Sequence, residues 1–240
     1  VISPWQFKNA REVLGKKTKE TNSPIFYIKR GLNYKNIHLK ENGLIYNFSF
    51  DNFCLKKIKL NTRALYQVEN SALSLATLKI ISQRDDFIIN NKTVKKTLSK
   101  FKFSGRMEVV NKQKKILVFD GAHNPQKMSA FIKSLKFSYP KQKFIFIVAF
   151  KQKKEAKKML QKMIPIADKI ILTSFIVEDQ DMIAVSQTIK NLSIILDKLK
   201  FNKYQIINNP NLAIKQAIKK SNFVAITGSL YLLSKVKSFF

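Results

Sequence analysis

The stretch Ile116-Leu117-Val118-Phe119-Asp120-Gly121-Ala122-His123-Asn124-Pro125 decides the fold. Ile116–Phe119 is an unbroken apolar run, the pattern of a strand buried on both faces. Asp120 ends it and Gly121 lets the chain turn. Asn124 is a good helix N-cap, and Pro125 suits the first helical position. A strand that runs into a capped helix opens an α/β unit. Downstream the same grammar repeats. The strands predicted are Ile116–Phe119, Phe144–Ala149, Lys169–Thr173, Tyr204–Ile207 and Phe223–Thr227. The helices predicted are Pro125–Lys136, Glu155–Ile164, Met182–Lys198, Asn211–Lys219 and Ser229–Phe239. Apolar strands with a helix between each pair argue a doubly wound α/β fold, with a mostly parallel sheet covered on both faces.

Upstream the pattern differs. A helix is expected around Trp5 to Glu20 and a strand at Pro24 to Ile28. Three alternating runs follow, near Asn36–Lys40, Leu44–Phe50 and Phe53–Leu60, parted by Asn42-Gly43 and Asp51-Asn52. Asn-Gly between alternating runs signals a hairpin, so this is a small antiparallel meander. A long helix over Arg63 to Ser82 and a shorter one over Asn91 to Lys100 close this part. The polar stretch Ser99–Ser104 reads as the joint, which divides the chain into 1–104 and 105–240.

Composition narrows the function classes. The 240 residues carry 45 Lys+Arg against 15 Asp+Glu, a formal charge of +30, and 45% are hydrophobic. That apolar content is enough to bury a core, which argues against disorder. The longest apolar run, Phe144 to Phe150, is far short of the ~20 residues that span a bilayer, so a soluble protein is expected. A single cysteine, Cys54, excludes an internal disulfide and fits a reducing, cytoplasmic setting. The cations are overwhelmingly lysine: only Arg11, Arg30, Arg63, Arg84 and Arg106 are arginine. Nucleic-acid readers favour the guanidinium fork, so the scattered lysines read as a solvated surface that attracts anionic ligands. The chain opens at Val1 without an initiator Met, inside what reads as an ongoing strand, and so reads as a truncation.

Six glycines are a small set, and three of them sit among polar neighbours. They are Ser104-Gly105-Arg106-Met107-Glu108, Asp120-Gly121-Ala122-His123-Asn124-Pro125 and Thr227-Gly228-Ser229-Leu230-Tyr231. The last two fall where a parallel strand ends and a helix begins, the edge at which open α/β sheets bind ligands. His123 is either a solvent-facing side chain on a capped helix or a donor or acceptor for a ligand. Arg106 either pairs with Glu108 or meets phosphate or ribose oxygens. Ser229 either caps its helix or holds a carboxylate there. In the long helix, Gln67 and Asn70 share one face, and Ser71, Ala72, Ser74 and Ala76 permit close packing.

Taken together, Gln67-Val68-Glu69-Asn70-Ser71-Ala72, Gly105-Arg106-Met107-Glu108, Asp120-Gly121-Ala122-His123-Asn124-Pro125 and Thr227-Gly228-Ser229-Leu230-Tyr231 resemble the folylpolyglutamate synthase/dihydrofolate synthase family of the Mur-ligase superfamily. The resemblance spans nearly the whole chain. It implies that 1–104 is the tail of a central ATPase domain and that 105–240 is a Rossmann-like C-terminal domain. It implies an amide-forming ligase in which ATP and Mg²⁺ activate a folate or dihydropteroate carboxylate as an acyl phosphate, which the amine of L-glutamate attacks. Asn70, Arg106 and Asp120 would match ATP-binding positions, and His123 and Ser229 positions around glutamate, with His123 and Asp120 in the catalytic roles. No Gly-x-x-x-x-Gly-Lys loop occurs here, so that loop and the magnesium ligands would lie upstream, and this chain alone would not turn over. Lys151-Gln152-Lys153-Lys154 stands where the family often has an acidic patch, Ser104 replaces a usual Pro, and Ser174–Val185 shows no counterpart to an expected arginine. The expected partners are small molecules, with no membrane, no nucleic acid and a monomeric state. The alternatives are a non-catalytic remnant of such a ligase and a basic anion- or nucleic-acid-binding module.

Overall fold

The computed structural model describes residues 1–41, 43–112, 114–179 and 182–237. The chain divides into two compact units, Val1–Lys102 and Phe103–Phe240, each described by itself.

In the first unit, β1 (Ile2–Pro4) pairs in parallel with β2 (Phe26–Ile28) across α1 (Lys8–Glu20). The expected meander follows as β3 (Tyr34–Lys40), β4 (Gly43–Phe50) and β5 (Phe53–Leu60), all antiparallel. Asp51 takes φ 52 at the second turn, as a tight hairpin requires. At the first turn Gly43 takes φ 137, and Asn42 lies outside the described residues. One face of the meander buries Leu44, Tyr46, Phe48 and Leu55. Against it lies α2 (Leu65–Arg84), whose buried Val68, Ser71, Ala72 and Ala76 allow the close approach expected of small residues. The Tyr46 hydroxyl and Ser71 Oγ are 2.7 Å apart in this seam, and burial pushes the phenol up to about 12. Helix α3 (Asn91–Lys100) closes the unit, capped by Asn90, whose side chain accepts from the Thr93 N–H.

The second unit is a six-stranded sheet in the order β12-β9-β8-β13-β7-β6. In chain order its elements begin with β6 (Glu108–Lys112), β7 (Lys115–Asp120), α4 (Pro125–Ser138), β8 (Phe144–Val148), α5 (Ala156–Met163) and β9 (Ala167–Leu172). They continue with β10 (Ile176–Asp179), β11 (Met182–Val185), α6 (Ile189–Lys198), β12 (Tyr204–Ile206), α7 (Pro210–Lys220), β13 (Phe223–Thr227) and α8 (Leu230–Lys237). All pairings in this sheet are parallel except the β6–β7 edge. Leu117, Phe119, Ile145, Ile147, Val224 and Ile226 line one face, under Ala213, Ile214 and Ala217 of α7 and Leu232, Leu233 and Val236 of α8. Alternate residues on the same strands, Val118, Phe146, Val148 and Ala225, turn to the other face, on the side of α4, α5 and α6.

Two regions depart from the sequence expectation, one of them holding both β10 and β11. The helix predicted from Met182 begins only at Ile189, where the Thr188 hydroxyl accepts from the Asn191 N–H. Residues before it form β11, which pairs with β10 as a hairpin outside the main sheet. Ile183 is 68% exposed and Ala184 1%, an alternation of period two that a helical reading averages away. Strand β6 was not foreseen, because an edge strand is stabilised by its neighbour β7 rather than by its own periodicity.

Candidate active site

Three strand ends meet at one edge of the sheet. Thr227 is in register with Asp120 on one side and Val148 on the other, so the segments following β7, β8 and β13 leave the sheet together. The expectation that Asp120 and Ser229 share this edge holds.

Asp120 is only 3% exposed. Its Oδ1 accepts from the Ala122 N–H at 2.8 Å and its Oδ2 from the Met107 N–H at 2.9 Å. The carboxylate therefore fastens the loop that carries Arg106 to the end of β7. The Gly121 N–H donates to the Gly105 carbonyl at 2.9 Å, and the Gly105 N–H donates to Glu108 Oε2 at 2.8 Å. Two residues of the loop sit in the left-handed region, Gly105 at φ 63 and Met107 at φ 49. The Arg106 guanidinium donates to the Gly105 carbonyl at 3.2 Å and lies directly over Gly121. A Cβ on Gly121 would stand 2.8 Å from Arg106 Nη1 and 2.3 Å from a Leu230 methyl. A side chain at Gly121 would therefore have to displace the Leu230 and Arg106 side chains that close over it.

His123 lies two residues before α4. Its Nδ1 is 2.8 Å from the Gly121 carbonyl, which can only accept, so Nδ1 carries the ring proton. Its Nε2 is then the acceptor, 3.2 Å from the Lys127 ammonium. Burial lowers the imidazole below its usual value of 6.5, and the charges of Lys127, Lys154 and Arg106 push the same way against the Gly121 hydrogen bond. The ring is neutral at neutral pH. Because the unfolded chain binds the proton more readily, this residue's contribution to stability is complete above pH 6.5 and is lost as pH falls towards the lower folded value. A ring-proton titration of His123 by NMR is expected to show a midpoint below 6.5, and His123→Asn is expected to flatten that segment of the stability profile. A midpoint above 6.5 would contradict this geometry.

At the end of β13, Gly228 takes φ +106, and a Cβ there would meet the Ala149 carbonyl oxygen at 2.6 Å. Ser229 is 3% exposed and its Oγ accepts from the Tyr231 N–H at 3.1 Å, so the capping role is realised. The Tyr231 ring lies against Phe175, with the Lys151 ammonium 5.5 Å above it. Thr227 is fully buried, and among the described residues its hydroxyl meets no hydrogen-bond partner.

The structure thus gathers Arg106, Asp120 and His123 and sets Ser229 on the neighbouring strand. Asn70 belongs to the first unit, exposed on α2, with its amide N–H donating to buried Gln67 Oε1 at 2.8 Å. Among the described residues no three His, Cys, Asp or Glu side chains converge as a metal site would need. None of the helices there is long and apolar enough to cross a membrane.

The family described as "Dihydrofolate synthetase, C-terminal domain" matches residues 104–238. The chain belongs to this family. The dihydrofolate synthetase of Saccharomyces cerevisiae is 28% identical over 130 residues, covering 51% of this chain and 30% of the yeast protein. The folylpolyglutamate synthase of Mycobacterium tuberculosis, solved with ADP and AMPPCP, superposes with a TM-score of 0.82 at 15% identity, over 99% of this chain and 55% of that one. The folylpolyglutamate synthase of Thermotoga maritima gives 0.72 at 21% identity, over 99% and 53%. The bifunctional folylpolyglutamate synthase/dihydrofolate synthase of Yersinia pestis, solved with Mn, AMPPNP and L-glutamate, gives 0.70 at 17% identity, over 95% and 50%. The chain therefore spans about half the length of these solved structures. These likenesses establish the fold.

Lys127 was not singled out from the sequence, and Lys154 only as the last residue of the Lys151-Gln152-Lys153-Lys154 run. For Lys127 a signal existed: it lies four residues after His123 and inside the first helical turn, where the helix dipole disfavours a cation. Lys154 was legible as a basic residue where the resemblance leads one to expect an acidic patch, but nothing local connects it to His123.

Proposed function

We propose that this chain forms the nucleotide- and glutamate-facing edge of an ATP-dependent ligase that adds L-glutamate to a folate or dihydropteroate. The observation that carries this reading is the cationic strand-end edge, where a neutral His123 stands among Arg106, Lys127 and Lys154 beside the start of α8. In this reading ATP passes its γ-phosphoryl to the substrate carboxylate. The glutamate amine then attacks the acyl carbon. The C–N bond forms, the C–O bond to phosphate breaks, and the amine gives up a proton. Such a reaction needs cations on the transferred phosphoryl and a separate holder that keeps the amine in line.

Arg106 is the group for phosphate or ribose oxygens, because its charge is permanent and its donors form a rigid fork. Asp120 acts through the loop it holds, since both of its oxygens already accept backbone N–H groups. Ser229 offers its hydroxyl at the start of α8, where partial positive charge suits a carboxylate. Asn70 is assigned to the nucleotide with its amide oriented by Gln67. Among the described residues no three His, Cys, Asp or Glu side chains converge, so in this reading the ligands of a magnesium ion lie mainly outside this chain.

The test is kinetic, in an assembled ligase that carries this chain. Ser229→Ala is expected to raise KM for glutamate on the order of tenfold, as for loss of one charge-assisted hydrogen bond, with ATP dependence unchanged. Unchanged glutamate kinetics together with lower thermal stability would leave Ser229 a helix cap and nothing more.

A further inference from the structure

Lys127 is the side chain at this edge that local sequence grammar does not explain. Its own N–H is capped by Asn124 Oδ1 at 2.8 Å, which places it in the first turn of α4. A cation there opposes the helix dipole. Its ammonium nevertheless folds back to His123 Nε2 at 3.2 Å, and the opposite ring nitrogen is fixed on the Gly121 carbonyl at 2.8 Å. A ring pinned in one tautomer thus holds the ammonium by a single donor. An ammonium has three donors, so two remain for another group. The other cations acting on the ring are Arg106, from the loop before β6, and Lys154, from the segment before α5. Among the described residues the ion pairs include none of these three.

We propose that Lys127 is a substrate-carboxylate contact of this edge, and that His123 is the positioning residue that aims it. This inference rests on the glutamate reading above and assigns a second anion holder to it. The two holders, Lys127 after β7 and Ser229 after β13, rise from neighbouring strands whose ends are in register, Asp120 beside Thr227. An edge with two cationic or N–H-rich holders side by side selects an amino acid with two carboxylates over one with a single carboxylate. The first holder is a flexible lysine on an exposed site, so it adapts to the reach of the ligand's side chain.

The experiment uses the chain itself, observing the His123 ring and backbone amides by NMR during titration with L-glutamate and, separately, L-alanine. Lys127 is exposed and alanine favours helices, so Lys127→Ala is expected to fold. The expected result is a neutral ring protonated at Nδ1, and L-glutamate shifts at His123, Lys127 and Ser229 that L-alanine does not reproduce. Lys127→Ala should weaken L-glutamate on the order of tenfold, and Lys127→Arg should restore most of it. The His123 midpoint should rise in Lys127→Ala, because a neighbouring positive charge has gone. If Ser229→Ala weakens L-glutamate but Lys127→Ala does not, the inference about Lys127 fails and the glutamate site stands. If L-glutamate shifts no residue at this edge in the unsubstituted chain, both fail.

Discussion

Asp120→Ala is expected to destabilise the second unit by about 2–6 kcal/mol, from two buried backbone N–H groups that lose their acceptor at about 1–3 kcal/mol each. Those groups belong to Ala122 and Met107, and Asp120 is 3% exposed, so water does not reach them easily. Asp120→Asn keeps one acceptor oxygen and should lose about half as much. The lost bonds are long-range only on the Met107 side. The variant should therefore free the Arg106 loop before it disturbs the sheet, and amide exchange at Met107 should accelerate well ahead of exchange in β7. Urea unfolding of the two variants measures the first effect and hydrogen exchange the second. Wild-type stability for Asp120→Ala would mean that the loop is held by other bonds.

Gly228→Ala is the second large effect, expected at about 3 kcal/mol or more. A side chain at φ +106 costs about 1–3 kcal/mol in backbone strain. The new methyl would also sit 2.6 Å from the Ala149 carbonyl and 2.9 Å from the Phe150 ring, both of them buried. Overpacking of that kind adds about 1–3 kcal/mol. The opposite sign is expected at Gly15 in α1, where a Cβ meets nothing within 4 Å and no positive φ is required. Gly15→Ala should stabilise the first unit by up to about 1 kcal/mol. Thermal melts of the pair compare the two directly. Equal effects at both positions would overturn the packing at the β13–β8 strand ends.

The two positions show how far local sequence reading reaches. Both are glycines, and the polar neighbours of Gly228 marked it as a strand-to-helix turn. The reason that only glycine fits comes from Ala149 and Phe150, just past the end of β8 and some eighty residues earlier in the chain. Likewise Ser229 was legible as a cap at a ligand edge, and the geometry realises the cap through the Tyr231 N–H. His123 was legible as a rare residue at a strand end. Its neutral state follows from burial and from the charges of Lys127, Lys154 and Arg106, and its proton on Nδ1 from the Gly121 carbonyl; burial, Lys154 and Arg106 are beyond any local spacing rule.

By itself the sequence determined the alternation of strands and helices, because apolar runs, Asn caps and a Pro at the first helical position act within a few residues of one another. The Asn124 cap and the buried run Phe144–Val148 stand where those rules put them. Only the tertiary structure decided that β13 inserts between β7 and β8, which sets Ser229 beside Asp120. It also decided that residues 182–185 pair with β10 as a hairpin instead of beginning a helix, and that Asp120 spends its carboxylate on the Arg106 loop. The physical reason is common to all three. Strand neighbours and buried acceptors are chosen by contacts between residues far apart in sequence, and local periodicity carries no record of which distant partner a strand or carboxylate will meet.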